Sequence, residues 1–337
     1  MEDLAEDFAR ARPQIAGFPL ASLSFDLDNK WSYMKTHGDP GWEEFPSYFH
    51  LFLPEVLDLL DQLELKITFF IVGQDAALEK NQDILAHLTK RGHEVGNHSF
   101  HHDPWLHLRS SEALEEDVLS AERYIHSVTG QRPIAFRGPG FSWGRALFEL
   151  LEANGYLFDA TVLPTYLGPL ARLYYFWKAG LTEDEKIERK RLYGGLSDGF
   201  RPVKPFYWRT ASGKKILEIP VTTIPFVKVP FHLSYLLYLR GFSETLMLGY
   251  LKFALYLCRI TKTGPSFLLH PLDFLNVKDA PELAFFPAMQ LTKREKRDAF
   301  LEVFRVLKSH FALVNMSTHA RNILAKRKLR IIEVGHE

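Results

Sequence analysis

Residues 21–28 read Ala-Ser-Leu-Ser-Phe-Asp-Leu-Asp. The alternation is that of a β-strand: Leu23, Phe25 and Leu27 share one face, and Ser24, Asp26 and Asp28 share the other. The apolar face marks an inner strand with one polar end. Asp26 and Asp28 point the same way, about 6–7 Å apart along the chain. Carboxylates so placed repel unless something positive lies between or beside them. A divalent metal is one compensator, and a solvated edge strand is the alternative.

Outward from this strand, the chain alternates between the two periodicities. Residues 51–63 have helical apolar spacing, and 66–72 (Lys-Ile-Thr-Phe-Phe-Ile-Val) are a buried strand ending at Gly73. A helix is predicted at 76–90, a strand at 93–97, and a helix at 110–127 that Ser110 or Ser111 caps. Residues 134–137 read as a strand, 144–154 as a helix and 156–161 as a strand. Such repetition predicts parallel β/α architecture. The stretch 162–214 interrupts it as a partly helical insertion, with Trp177, the charged segment Glu183–Arg191, and Gly194, Gly195 and Gly199. The basic run Arg189, Lys190 and Arg191 within it reads as a solvated helix face. Residues 216–221 and 266–269 are further strands, and 293–309 a last charged helix. One domain is expected over 15–325, carrying the insertion and apolar helices at about 231–260.

The chain has 337 residues, 46% hydrophobic and 24% charged, as a soluble globular α/β protein requires. Lysine plus arginine and aspartate plus glutamate both number 41, which argues against a nucleic-acid binder. Cys258 is the lone cysteine, so an internal disulfide and a Cys-rich zinc site are excluded, and any metal must be held by histidine and carboxylate. The acidic start, Met1-Glu-Asp-Leu-Ala-Glu-Asp, lacks a basic region and apolar core, which gives a cytoplasmic expectation.

Three further segments carry chemistry. In His98-Ser99-Phe100-His101-His102 the outer histidines are four apart. On a helical turn they would chelate one ion, although a His-rich surface turn has the same spacing. In Phe136-Arg137-Gly138-Pro139-Gly140-Phe141 an arginine ends a strand, and the loop after it can offer backbone N–H groups to an oxyanion or serve as a plain turn. In Leu268-Leu269-His270-Pro271-Leu272-Asp273 an apolar strand delivers a histidine at its end, placed for a general acid or for a satisfied core position.

In order and position these segments resemble the polysaccharide deacetylase family, the NodB-homology or carbohydrate esterase 4 group, over residues from about 20 to 275. Ser24-Phe25-Asp26-Leu27-Asp28 resembles the first motif with one residue between its acids. His98, Ser99 and His102 match the second motif, and Arg137 and Pro139 the third. Asp159 resembles the later aspartate, and Leu269-His270 the last motif. The resemblance implies a distorted (β/α) barrel with its site at one mouth. It implies one divalent ion, zinc in relatives, held by Asp28, His98 and His102, with a position left for water. It further implies Asp26 as base, Arg137 as its orienter, His270 as acid with Asp159 tuning it, and an oxyanion site at Pro139, Gly140 and Phe141. The expected substrate is an N-acetyl or N-formyl sugar of a cell-envelope glycan, in some relatives linked to polyprenyl phosphate. Phe141 stands where many relatives carry tyrosine, and Ala160 where serine is common.

Residues 224–262 are strongly apolar, but Arg240, Glu244, Lys252 and Arg259 keep every run below the ~18 residues of a transmembrane span. Leu246, Tyr250, Phe253 and Leu257 form one helical stripe, read first as core and otherwise as a peripheral contact with lipid at the inner membrane face. Two other functions stay open: hydrolysis of a small or cyclic amide, as in allantoinase-like relatives, and a non-catalytic carbohydrate-binding barrel.

Overall fold

The computed structural model describes residues 18–168, 196–325 and 328–334. Its frame is a sheet in which β1 (Leu20–Leu27) pairs with three other strands and is buried along almost its whole length. Both faces are covered, which explains the apolar character of its neighbours β2 (Thr68–Ile71) and β8 (Ser266–Leu269). The remaining strands are β3 (Glu94–Asn97), β4 (Ala135–Phe136), β5 (Phe158–Asp159), β6 (Phe206–Arg209), β7 (Lys215–Glu218), β9 (Ala312–Val314) and β10 (Ile331–Glu333). They lie in the order β10-β6-β7-β5-β4-β3-β2-β1-β8, with β9 beside the start of β1. Every pairing is parallel except β6 with β7.

The segment after β7 reaches both ends of the parallel run. Ile219 N–H donates to Asp159 O at 2.9 Å, Val221 N–H to Val162 O at 2.9 Å, and Thr222 N–H to Ser266 O at 3.1 Å. Ser266 N–H returns to Thr222 Oγ1 at 2.8 Å. These bonds link β5 to β8, the two ends of the parallel run.

The helices follow their sequence signals. They are α1 (Lys30–His37), α2 (Phe49–Gln62), α3 (Gly73–Ala77), α4 (Glu79–Lys90), α5 (Ser111–Thr129), α6 (Arg145–Ala153), α7 (Leu233–Arg240), α8 (Glu244–Ile260), α9 (Lys293–His310) and α10 (Met316–Leu324). Ser110 caps α5 through its hydroxyl, and Gly130 ends it at φ 70°. Thr292 and Glu295 form a capping box on α9.

Several expectations are corrected. The helix predicted at 76–90 is two helices, because Leu78 leaves helical geometry at ψ 117°. The helix at 293–310 is not the last: β9, α10 and β10 follow it. Residues 169–195 of the expected insertion, with Trp177, Glu183–Arg191, Gly194 and Gly195, lie outside the described residues. The end of that stretch forms β6, antiparallel to β7 and paired on its other side with β10. The expected stripe on α8 divides: Leu246 and Phe253 are exposed, and the core face carries Met247, Leu251, Ala254, Leu255 and Cys258. No helix among the described residues is long and apolar enough to cross a membrane.

Beneath β1 the core is aromatic. The Phe25 ring lies 5.4 Å from Phe69, 5.8 Å from Phe274 and 5.9 Å from Phe52, all roughly parallel. Phe25 is flanked by Asp26, so this stack fixes the strand that carries both acids. Phe25→Ala empties a fully buried ring site and is expected to cost about 3–5 kcal/mol. Urea unfolding should show a lower midpoint with an unchanged slope, and a loss under about 1 kcal/mol would contradict the packing described.

Candidate functional site

The parallel register aligns the strand ends: Leu27 is opposite Ile71, Ile71 opposite Asn97, and Asn97 opposite Phe136. Asp28, His98 and Arg137 therefore follow at one edge of the sheet. On the other side Phe25 is opposite Leu269, which sets Asp26 and His270 at neighbouring positions. Four separate segments thus converge through strand register.

The two acids of β1 are compensated separately. Asp26 Oδ1 accepts from Arg137 Nη1 at 2.6 Å. The same Nη1 is 2.8 Å from Ser24 Oγ, Nε donates to Ala160 O at 2.9 Å, and the guanidinium sits 4.3 Å above the Phe70 ring. Arg137 is fully buried, so its charge requires a partner, and Asp26 supplies it.

Asp28 meets histidines instead. Its Oδ1 is 3.2 Å from His98 Nε2 and 3.0 Å from His102 Nε2, and its Oδ2 accepts from Tyr33 Oη at 3.1 Å. Tyr48 Oη donates to the Asp28 carbonyl at 2.6 Å. The next residue, Asn29, accepts from Lys30 N–H to cap α1 and donates to Asp75 Oδ1 at 2.6 Å. Burial pushes the Asp75 carboxyl up to about 7 despite its three donors, Asn29, Trp31 and Asn81.

The 98–102 segment is not the helical turn that the spacing predicts. Ser99 and His102 both have positive φ, 62° and 53°, an uncommon backbone for such residues. The loop is held by side chains. Asn97 Oδ1 accepts from Ser99 N–H at 2.9 Å, and Ser99 Oγ from His102 N–H at 3.1 Å. Buried Asp117 of α5 accepts from the N–H groups of Phe100 at 2.7 Å and His101 at 3.2 Å. This polar loop, rather than i,i+4 helix geometry, turns the two imidazoles toward Asp28.

The donor set fits a cation. His98 Nδ1 lies 2.6 Å from the Arg137 carbonyl, which only accepts, so a neutral His98 carries its proton on Nδ1. Its Nε2 lone pair then faces the Asp28 oxygen, as does His102 Nε2. Donor atoms of Asp28, His98 and His102 all lie within 4.8 Å of one another and are buried. Such convergence of acceptors demands positive charge, from protons or a metal. Burial works to raise the Asp28 carboxyl, but the charges of and bonds to His102 and His98 hold it well below its ordinary value. Burial works to lower His98, yet the Asp28 bond and the charges of Asp26 and Asp28 raise it. Two imidazole nitrogens and a carboxylate oxygen are a donor set that zinc and similar divalent ions accept.

His270 has different partners from those expected. Ser234 Oγ, near the start of α7, is 3.2 Å from His270 Nδ1 and donates to Asp273 Oδ1 at 2.7 Å. With its proton on Asp273, the serine oxygen accepts from His270 Nδ1–H. Lys296 donates to the carbonyl of Leu272 at 2.6 Å and to that of Leu275, which fixes this loop. The His232 ring lies 5.5 Å from His270. Burial, with the charges of His270 and Arg137, keeps His232 well below its ordinary value and thus neutral.

Asp159 is engaged away from His270. It accepts from Thr161 Oγ1 at 2.7 Å and Thr161 N–H at 3.0 Å, and it shares a hydrogen bond with Glu218. Glu218 in turn accepts from Val162 N–H at 3.0 Å and Trp208 Nε1 at 3.1 Å. Pro139, Gly140 and Phe141 form a tight turn in which Gly140 has φ 58°. A Cβ there would stand 2.6 Å from the Pro104 side chain, so glycine is required. Phe141 N–H is already bound to Gly138 O at 3.1 Å, whereas Gly140 N–H, in the first turn, has no helical acceptor.

A family described as polysaccharide deacetylase matches residues 39–158. A peptidoglycan-N-acetylglucosamine deacetylase of Bacillus cereus is 33% identical over 138 residues, 41% of this chain and 60% of that protein. A peptidoglycan-N-acetylmuramic acid deacetylase of Bacillus subtilis is 27% identical over 92 residues, 27% of this chain and 34% of that protein. The alignments thus span three fifths or less of these curated relatives. A solved structure from Mycobacterium smegmatis, described as a candidate polysaccharide deacetylase, shares the fold at a TM-score of 0.58 and 15% identity, covering 97% of each chain.

The Asp159–Glu218 pair sets a pH dependence. Burial, then the Asp159 charge and its hydrogen bond, push the Glu218 carboxyl well above its ordinary value of about 4.3. The folded protein therefore holds a proton that the unfolded chain has released, and its stability falls as pH rises above that value. Glu218→Gln should flatten the pH slope of urea stability above the ordinary carboxylate range, by up to about 1.4 kcal/mol per pH unit. An unchanged slope would show that Glu218 ionises normally in the fold.

Proposed function

The chain belongs to the polysaccharide deacetylase family, the NodB-homology or carbohydrate esterase 4 group, and from that premise we propose that it hydrolyses the N-acyl amide of a cell-envelope sugar with the help of one divalent metal ion. The observation that carries this reading is the convergence of Asp28, His98 and His102 on one point beside an acid already neutralised by Arg137. An intact donor set also speaks against a non-catalytic barrel. Acetyl is the acyl group that the curated relatives' names support, on glucosamine or muramic acid. A formyl group, or a sugar carried on polyprenyl phosphate, is compatible with the same chemistry.

Asp28, His98 and His102 would hold the ion, zinc or a similar divalent metal, which supplies Lewis acidity toward a water and the amide carbonyl. The remaining work falls to the chain. Asp26 accepts the proton of the attacking water as the C–O bond forms. Arg137 holds Asp26 at 2.6 Å and so fixes the direction of its free lone pairs. His98 is kept in the productive tautomer by the Arg137 carbonyl. The Gly140 N–H is available to the developing oxyanion. His270 gives its proton to the departing nitrogen as the C–N bond breaks, leaving carboxylate and free amine. Its orientation comes from Ser234 and Asp273. Asp159 supports the turn instead, since its partner Thr161 accepts from Gly138 N–H at 2.8 Å.

Metal analysis of the purified protein by mass spectrometry tests the assignment. Wild type is expected to retain about one equivalent of divalent metal, and His98→Ala/His102→Ala none. Asp26→Asn should keep the metal and lose about 10²–10⁴-fold in turnover on N-acetylglucosamine oligomers. Full turnover in Asp26→Asn, or a folded wild type that refuses added zinc, would overturn the reading.

A further inference from the structure

The other end of the molecule holds a cavity of about 1140 Å³, lined partly by Pro19 and Leu20 at the start of β1 and by Gly264 before β8. Asp26 and Asp28 lie at the opposite end of β1, about 20 Å away at the rise of a strand. The cavity is therefore distinct from the candidate metal site. Six cations line it: Lys204, Lys228, Arg259, Lys262, Lys328 and Arg330. Among the described residues its lining contains no aspartate or glutamate, and none of the six is ion-paired to one. Lys228 donates to the Arg201 carbonyl and Arg259 to the His310 carbonyl, bonds that leave both charges uncompensated. Six like charges around one hollow repel one another, and an anion relieves that repulsion.

A second observation concerns what adjoins the cavity. Helix α8 ends in it at Ile260, and its outward side is apolar: Leu246, Phe253, Tyr256 and Ile260 are 48%, 51%, 59% and 55% exposed. Phe226, which also lines the cavity, is 76% exposed. The helix residues recur at helical spacing and make one straight ridge on an element about 25 Å long. Lys252 and Arg259 stand on the same exposed side. An apolar ridge with aromatic rings and basic flanks, running into a cationic hollow, matches a ligand that is apolar on one side and anionic on the other.

We propose that this face docks on an anionic phospholipid surface, with a headgroup phosphate in the cationic cavity and the α8 ridge at the acyl boundary. The contact is peripheral, because neither α7 nor α8 is long and apolar enough to cross a membrane. It does not depend on the catalytic assignment.

Sedimentation with mixed phosphatidylglycerol–phosphatidylcholine vesicles, against pure phosphatidylcholine, tests it on the whole chain. Wild type should partition onto the mixed vesicles, and high salt should weaken the binding. Lys262→Gln/Lys328→Gln/Arg330→Gln should lower the partition coefficient on the order of 100-fold, at roughly fivefold per cation. Phe253→Ser/Tyr256→Ser should also lower it, and both variants should keep the wild-type circular dichroism. Wild type that stays in the supernatant would overturn the proposal, as would vesicle binding unmoved by both variants. Calorimetric binding of inorganic phosphate that the triple variant abolishes, without any vesicle binding, would make the cavity a site for a soluble phosphate and equally overturn it.

Discussion

The arrangement of the candidate site depends on the burial of one guanidinium. Arg137 is fully enclosed at the end of β4, and its charge is matched by Asp26 on β1. Removing one partner of such a buried pair leaves an uncompensated charge and costs about 3–5 kcal/mol. The same residue acts through its backbone, because its carbonyl accepts from His98 and sets that ring's tautomer. Three strands are tied through one residue. Asp26 is thereby satisfied without a metal, and Asp28 is left to the histidines. The site is asymmetric for this reason: one carboxylate is held by a protein cation and the other faces a cluster of lone pairs.

The residues of the candidate site were legible in the sequence because all but His102 sit at or next to a strand end, where hydrophobic patterning stops. Asp26, Asp28, His98, Arg137 and His270 are brought to one edge by parallel register, and the loop after β3 adds His102. Their supports were not legible. Asp117 lies on α5 and reaches a loop seventeen residues back in the chain, and Ser234 meets His270 thirty-six residues on. Such contacts follow from packing and leave no local pattern. Spacing misled at 98–102, since two histidines four apart are equally well aligned by a loop with positive φ at Ser99 and His102. Asp159 was assigned to His270 through family resemblance alone, whereas its neighbours in space are Thr161 and Glu218. β10, at the sheet edge, is three residues long and largely exposed, and β6 beside it lies within the stretch read as an insertion, so neither carries the uniformly apolar run that marks β2 and β8.

The two ends of the sheet have opposite characters. The C-terminal ends of the strands gather carboxylates and imidazoles around a point that lacks positive charge. The far end gathers lysine and arginine around a hollow that lacks negative charge. Helices α7 and α8 connect them: α7 begins beside His270, through His232 and Ser234, and α8 ends at the cationic cavity. Their inner faces belong to the core and their outer faces do not, which resolves how so apolar a stretch can pack and still present aromatic side chains to solvent.

The central claim is that Asp28, His98 and His102 share one metal ion. Anomalous diffraction from crystals grown with zinc, collected on both sides of the metal edge, addresses it directly. The account predicts a single strong peak within bonding distance of an Asp28 carboxylate oxygen and of Nε2 of both histidines. A fully folded protein with no peak there, or with its metal bound elsewhere, would contradict it.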